Sequence, residues 1–237
     1  VFDSGVGGLT VAREIMRQIP NERIVYFGDT ARVPYGSKSK DNIIKFSRQI
    51  IRFLQTENVK AIVIACNTAS ALALDEMQQE FDLPILGVVK PGAKVAVETT
   101  ANKRIGLIGT EANIRSGVYT RYIKSLDDEA KVFEKACPLF VPLVEEGWLH
   151  DDITLQVASR YLEELKEKDI DTLIMGCTHY PLIRSTIRKV MGDKVNLVNP
   201  AYETAIELKN LLERDNLANK CDVDSPSSMY RFYVSDA

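Results

Sequence analysis

The sequence predicts an α/β protein built from two pseudo-symmetric three-layer α/β domains, each a mostly parallel sheet, with an interdomain cleft. Three observations carry this expectation. Apolar runs of strand length alternate with amphipathic stretches of helix length along the chain. The runs are apolar throughout, as strands buried on both faces must be. One segment also recurs: Ile62-Val63-Ile64-Ala65-Cys66-Asn67-Thr68 matches Leu173-Ile174-Met175-Gly176-Cys177-Thr178-His179. Each copy is an apolar strand, a small residue, a cysteine, a polar pair and then a helix pattern. Upstream, at a similar spacing, Val1-Phe2-Asp3-Ser4-Gly5 resembles Leu107-Ile108-Gly109-Thr110-Glu111.

The elements follow in order. Val1-Phe2 opens a strand that runs into Asp3-Ser4-Gly5-Val6-Gly7-Gly8. A helix follows, with Val11, Ile15, Met16 and Ile19 at spacings of three to four, and Pro20-Asn21 ends it. Residues 24–27 form a strand and 39–57 a helix with Ile43, Phe46, Ile50 and Leu54 on one face. Residues 61–65 are a strand, 68–80 a helix and 84–88 a strand, and Pro91 suits a helix's first turn. In the second half, 104–108 is a strand, 112–126 one helix and 131–136 a strand. Residues 151–166 form a helix whose positive end carries Asp151 and Asp152. A strand at 172–175, a helix at 181–190, a strand at 195–198, a helix at 202–214 and a strand at 230–234 complete the pattern. The halves divide as residues 1–91 plus 200–237 on the Cys66 side and 92–199 on the Cys177 side. The opening at Val1 inside a strand, without Met, and the stop directly after a strand predict further residues at both ends.

Composition narrows the function. The 237 residues are 45% hydrophobic and 27% charged, and 30 basic against 33 acidic residues give a net charge of −3. Phosphate backbones demand a clustered positive excess, so this balance disfavours a nucleic-acid partner. No apolar run approaches the roughly 20 residues of a membrane span. The opening residues have no basic-then-apolar leader pattern, so the four cysteines are expected to be cytoplasmic thiols. They include no Cys-x-x-Cys pair, and only His150 and His179 are histidines, which leaves little for a metal site. The glycines of the first loop match neither the Walker A spacing nor the dinucleotide fingerprint, so no nucleotide is expected there.

Cys66 and Cys177 are the candidate functional groups. Open parallel sheets bind ligands outside the carboxyl ends of their strands, where both cysteines fall, each opening a helix. A helix N-terminus favours a thiolate and can hold a carboxylate. A free cysteine is more often a small buried hydrophobe. Two in matching contexts, each followed by a polar pair, argue otherwise. Cys137 and Cys221 lack that context and are read as structural. Two opposed thiols without redox spacing suit inversion of a carbon acid, in which one thiolate removes a Cα proton and the other thiol returns one on the opposite face.

The sequence also resembles the glutamate racemases of the cofactor-independent aspartate/glutamate racemase superfamily. The resemblance is carried, over nearly the whole chain, by Asp3-Ser4-Gly5-Val6-Gly7-Gly8-Leu9-Thr10, Gly28-Asp29-Thr30-Ala31-Arg32, Pro34-Tyr35-Gly36, Ala65-Cys66-Asn67-Thr68-Ala69, Pro91-Gly92-Ala93, Phe140-Val141-Pro142-Leu143-Val144-Glu145 and Gly176-Cys177-Thr178-His179-Tyr180-Pro181. It implies interconversion of L- and D-glutamate without a cofactor or metal, supplying D-glutamate for peptidoglycan, in a cytoplasmic homodimer. It implies that Cys66 deprotonates the D-enantiomer and Cys177 the L-enantiomer. Asp3 would be the auxiliary acid or base near Cys66, and His179 and Glu145 those near Cys177. Asp29 matches a family position with a softer role. Asp3, Ser4, Tyr35, Gly36, Asn67, Thr68, Thr110, Thr178 and His179 would bind substrate. Two other readings stand beside this one: a racemase for aspartate or another amino acid, and a non-catalytic amino-acid-binding module or interaction scaffold.

Overall fold

The computed structural model describes residues 1–219 and 229–236. Cys221 lies outside the described residues. The chain divides into two compact units, Val1–Val88 with Ala201–Ala237, and Val89–Pro200.

In chain order the first unit holds β1 (Phe2–Asp3), α1 (Leu9–Gln18), β2 (Ile24–Gly28), α2 (Lys40–Thr56), β3 (Ile62–Ile64), α3 (Asn67–Glu80) and β4 (Ile85–Gly87). Two 3-10 turns, Thr30–Arg32 and Tyr35–Ser37, join β2 to α2. The second unit holds α4 (Val89–Thr99), β5 (Arg104–Gly109), α5 (Glu111–Ser116), α6 (Val118–Leu126), β6 (Lys131–Ala136), α7 (Phe140–Glu145), α8 (Asp152–Lys166) and β7 (Thr172–Gly176). It continues through a 3-10 turn at Tyr180–Ile183 to α9 (Arg184–Met191) and β8 (Asn196–Val198). The helix α10 (Pro200–Arg214) and the strand β9 (Tyr230–Val234) then follow, and β9 pairs with β2.

The first sheet has the order β4-β3-β1-β2-β9 and the second β6-β5-β7-β8. Every described pairing is parallel. With β1 matched to β5, β2 to β6, β3 to β7 and β4 to β8, the order β4-β3-β1-β2 is reproduced as β8-β7-β5-β6. The recurrence in sequence is therefore a recurrence in topology, with β9 an addition to the first sheet.

Alternation along each strand feeds two apolar layers. Ile62 and Ile64 of β3 join Ile43, Ile50, Ile51 and Leu54 of α2 and Ala73 and Met77 of α3. Val63 between them points to the other face, where Val11 and Ile15 of α1 and Ala205, Leu208 and Leu212 of α10 pack. In the second sheet Ile108, Leu173, Met175 and Leu197 pack under α7, α8 and α9, and α4 covers β7 and β8 on the other face. Both units are thus three-layered, as parallel sheets require.

Caps set several helix starts. Ser39 accepts from the Asn42 N–H to open α2, and Asp151 accepts from the Ile153 N–H at 2.7 Å to open α8. Three segments differ from expectation. The single helix over 112–126 is two, because Gly117 adopts φ +62°, a left-handed conformation that ends α5 before α6 begins. The helix over 181–190 begins as a 3-10 turn and becomes α-helical only at Arg184. The helix α7 has no counterpart in the periodicity; six residues are too few to show one. Its Pro142 is tolerated because it falls in the first turn, whose N–H groups have no intrahelical acceptor.

Replacing Ile64, fully buried on β3, with Ala should lower unfolding stability by about 2–5 kcal/mol. Denaturant titration checks this, and a change within experimental error would remove Ile64 from the core described.

Candidate active site

In each sheet the chain leaves a central strand in both lateral directions: β1 has β2 on one side and β3 on the other, and β5 lies between β6 and β7. The carboxyl ends of strands flanking such a reversal are where open α/β sheets place ligands. In the first unit Asp3 ends β1 and Ser4 follows it, Asp29 follows β2 and Cys66 follows β3. In the second unit Thr110 follows β5, Cys137 follows β6 and Cys177 follows β7.

Asp3 is fully buried, and its Oδ2 accepts from the N–H groups of Gly5 at 3.2 Å and Gly8 at 2.8 Å. It therefore holds the loop that starts α1, where the positive end of the helix favours a carboxylate. Its backbone carbonyl also accepts from the Asp29 N–H at 3.0 Å. Glycine is needed on both sides of this loop. A Cβ on Gly8 would fall 2.4 Å from Asp3 Cβ, and one on Gly28 would fall 2.7 Å from the Gly5 carbonyl oxygen. That oxygen already accepts from the Tyr26 hydroxyl at 2.7 Å.

Cys66 is the N-cap residue of α3, and its sulfur lies 3.7 Å from Ser4 Oγ. The 14-residue helix directs its N-terminal dipole at this end of the chain. Asn67 and Thr68 are buried in the first turn. Tyr35 packs in the same core cluster as Cys66, and its hydroxyl donates to Asp29 Oδ2. Burial first, and then the Asp29 bond, push the Tyr35 phenol well above its ordinary pKa. Asp29 also pairs with the Arg32 guanidinium at 2.8 Å, and that guanidinium lies over the Phe46 ring. Gly36, next to Tyr35, is half-buried.

The second unit brings three expected residues together. His179 Nδ1 lies 3.7 Å from Cys177 Sγ, and its Nε2 lies 2.5 Å from Glu145 Oε1. His179 is buried, while about a third of the Glu145 side chain stays exposed, at 34%. The bond from His179 is the main cause that holds the Glu145 carboxyl below its ordinary pKa, against desolvation acting the other way. An ionised Glu145 takes the Nε2 proton as its hydrogen-bond donor. That leaves Nδ1 on the opposite side of the ring facing the Cys177 sulfur, where a ring nitrogen and a thiol can exchange a proton. Glu145 rather than its neighbour Glu146 makes this contact. Thr178 is buried beside it, and Thr110 caps α5 by accepting from the Asn113 N–H at 3.3 Å. His150 instead lies by Ser185, outside this group.

The helix expected directly after Cys177 is absent. The Tyr180 N–H bonds the Cys177 carbonyl and the Leu182 N–H that of His179, an i→i+3 pattern, and Pro181 has no N–H to extend an α-helix. The dipole argument therefore applies to Cys66, whose carbonyl accepts from the Ser70 N–H in α-helical fashion, and the His179–Glu145 pair takes its place at Cys177. Asn113 gave no signal in the sequence. Fully buried, it donates to the Gly176 carbonyl at 2.9 Å and so ties the residue before Cys177 to α5. Among the described residues no group of three or more His, Cys, Asp or Glu side chains could hold a metal ion. No helix among them is long and apolar enough to cross a membrane.

The family model for Asp/Glu/hydantoin racemases matches residues 8–206. The chain belongs to the Asp/Glu/hydantoin racemase family. It is an enzyme of the racemase class, an isomerase. The glutamate racemase of Geobacter metallireducens is 46% identical over 236 residues, which cover 100% of this chain and 86% of that relative. The structure of glutamate racemase isoform RacE1 from Bacillus anthracis superposes with TM-score 0.95 at 40% identity, covering 100% of this chain and 88% of that one. The Francisella tularensis glutamate racemase, in complex with D-glutamate, superposes with TM-score 0.92 at 40% identity, covering 100% and 87%.

Two outcomes are expected. Gly28→Ala should cost about 1–3 kcal/mol of stability, because the facing atom is a backbone oxygen held in place by Tyr26. Thermal unfolding measures it, and an unchanged midpoint would refute the close packing of this loop. Glu145, with its carboxyl pKa depressed in the folded state, adds stability that is present above its unfolded value of about 4.3 and is lost as pH falls through the folded value. Chemical denaturation at a series of acidic pH values should show a shallower decline for Glu145→Gln than for the unaltered protein.

Proposed function

We propose that the chain is a glutamate racemase that uses Cys66 and Cys177 as two bases. The observation that carries this reading is the pair of thiols at topologically equivalent strand ends, each beside a proton-handling or hydrogen-bonding neighbour. The curated relatives named glutamate racemases, at identities such as 46% over the full chain, support glutamate as the substrate. The Francisella protein's complex with D-glutamate supports an amino-acid enantiomer as ligand.

The chemistry follows from the groups. One sulfur, as thiolate, takes the Cα proton. The electron pair passes into the adjacent carboxylate as an enediolate, and the other thiol delivers its own proton to the opposite face of Cα. After one turnover the protonation states of the two sulfurs are exchanged, and the reverse reaction restores them. By this assignment Cys66 acts on the D-enantiomer and Cys177 on the L-enantiomer. The His179 ring relays protons to and from Cys177 through Nδ1, and Glu145 orients it by accepting from Nε2. Asp3 is the auxiliary acid or base for Cys66. Ser4, Tyr35, Gly36, Asn67, Thr68, Thr110 and Thr178 bind the ammonium and carboxylates of the substrate. The product D-glutamate supplies peptidoglycan synthesis, and the enzyme acts as a cytoplasmic homodimer without a cofactor.

Cys66→Ser and Cys177→Ser should each fold normally and lose about a hundredfold or more of glutamate racemisation, the usual share of a positioned general acid or base. Polarimetry with L-glutamate, L-aspartate and L-alanine tests both parts. Retained activity in either variant overturns the two-thiol mechanism, and a faster rate on aspartate overturns the substrate.

A further inference from the structure

We propose that Tyr180 is a positioning residue for the Glu145–His179 pair, because its side chain fixes the start of the short helix whose last residue is Glu145. This rests on the reading of Cys177 as a base served by that pair, and it concerns a residue that neither binds substrate nor touches the thiol in that reading.

Tyr180 is fully buried, and its hydroxyl donates to the Cys137 carbonyl at 3.0 Å. Burial holds the phenol well above its ordinary pKa, so the hydroxyl stays a neutral donor. The same carbonyl accepts from the Phe140 N–H at 3.2 Å, at the first residue of α7. The Cys137 N–H in turn donates to the Gly109 carbonyl at 2.9 Å, which ties this point to the end of β5. The rings of Phe140 and Tyr180 meet edge to face, 5.1 Å apart and at 90°. Phe140 is itself fully buried.

These contacts close a circuit. The phenol of Tyr180 shares the Cys137 carbonyl with the first residue of α7, and the Cys137 N–H ties that point to the end of β5. The helix is six residues long, so its far end cannot drift independently of its start. That far end is Glu145, which meets His179, the residue directly before Tyr180. The Tyr180 side chain and the His179 side chain thus grip the two ends of one helix from adjacent positions in the chain. A shift at the Cys137 carbonyl is a shift of the Glu145 carboxylate, and with it the bond that orients His179.

The test uses Tyr180→Phe alone and together with Glu145→Gln. Proton NMR of the protein in water should show a far-downfield resonance from the His179–Glu145 hydrogen bond, assigned by its loss in Glu145→Gln. Tyr180→Phe should weaken or shift that resonance. It should also lower kcat for glutamate roughly five- to tenfold, the scale of one buried hydrogen bond, while KM stays unchanged. In the Glu145→Gln background the same substitution should change kcat by less than about twofold, because its route of action is already cut. If Tyr180→Phe does not fold, Phe140→Leu, which keeps the hydroxyl and removes the ring edge, should give the same pattern. An unaltered protein without the resonance, a resonance indifferent to both substitutions, or equal losses of kcat in both backgrounds overturns the proposal. A Tyr180-sensitive resonance in a protein that does not racemise glutamate would instead be the failure of the functional reading.

Discussion

Parallel pairing is the constraint from which the rest follows. A parallel ladder makes every strand of a sheet end at the same edge, and every crossover must leave from there. Residues far apart in sequence are thereby forced into one row: Asp3, Asp29 and Cys66 in the first sheet, Thr110, Cys137 and Cys177 in the second. Nothing in the side chains has to bring them together. The reversal of strand order at β1 and at β5 then opens that row to a ligand. Each sheet's apolar faces, supplied by strict alternation along β3 and β7, keep the edge in register.

The two units share this plan and differ in how they treat their thiol. At Cys66 the chain enters a long α-helix directly, so the positive end of the helix dipole lies at this residue. At Cys177 Pro181 forces a tight turn, the long helix is lost, and side chains supply what the backbone does not. His179 stands between Cys177 and Glu145, and α7 exists to carry Glu145 there. Asp3 and Asp29 show how a carboxylate can do structural work beside a reactive group. Asp3 holds the first loop by two backbone N–H groups, and Asp29 draws Tyr35 and Arg32 onto one buried point. In the mechanism proposed, two topologically equivalent sulfurs have unlike neighbours.

Much of this was legible in the sequence because it depends on local pattern. The apolar runs and the repeated strand–Cys–polar-pair segment gave the sheet class and the equivalence of Cys66 and Cys177. The strands expected at 131–136 and 230–234 coincide with β6 and β9. What escaped depends on single residues or on distant contacts. Gly117 broke a helix that periodicity ran through, because one left-handed residue leaves the apolar spacing intact. The helix α7 is shorter than two turns and carries a proline. Asn113 and Tyr180 act through backbone carbonyls of other strands, Gly176 and Cys137, and no spacing along the chain announces such a bond. The helix expected after Cys177 is absent for a local reason: Pro181 stands where Ser70 stands after Cys66, and it has no N–H to donate to the Cys177 carbonyl.

The most direct test of the central claim follows the label that two separate bases must leave. Racemisation of L-glutamate is run in deuterium oxide, and both enantiomers are analysed by mass after a small fraction has turned over. Two thiols acting from opposite faces predict D-glutamate carrying deuterium at Cα, while the remaining L-glutamate stays unlabelled. Early deuterium in the recovered L-glutamate, or protium carried through into the product, would mean that a single group both takes and returns the proton, and would contradict the account.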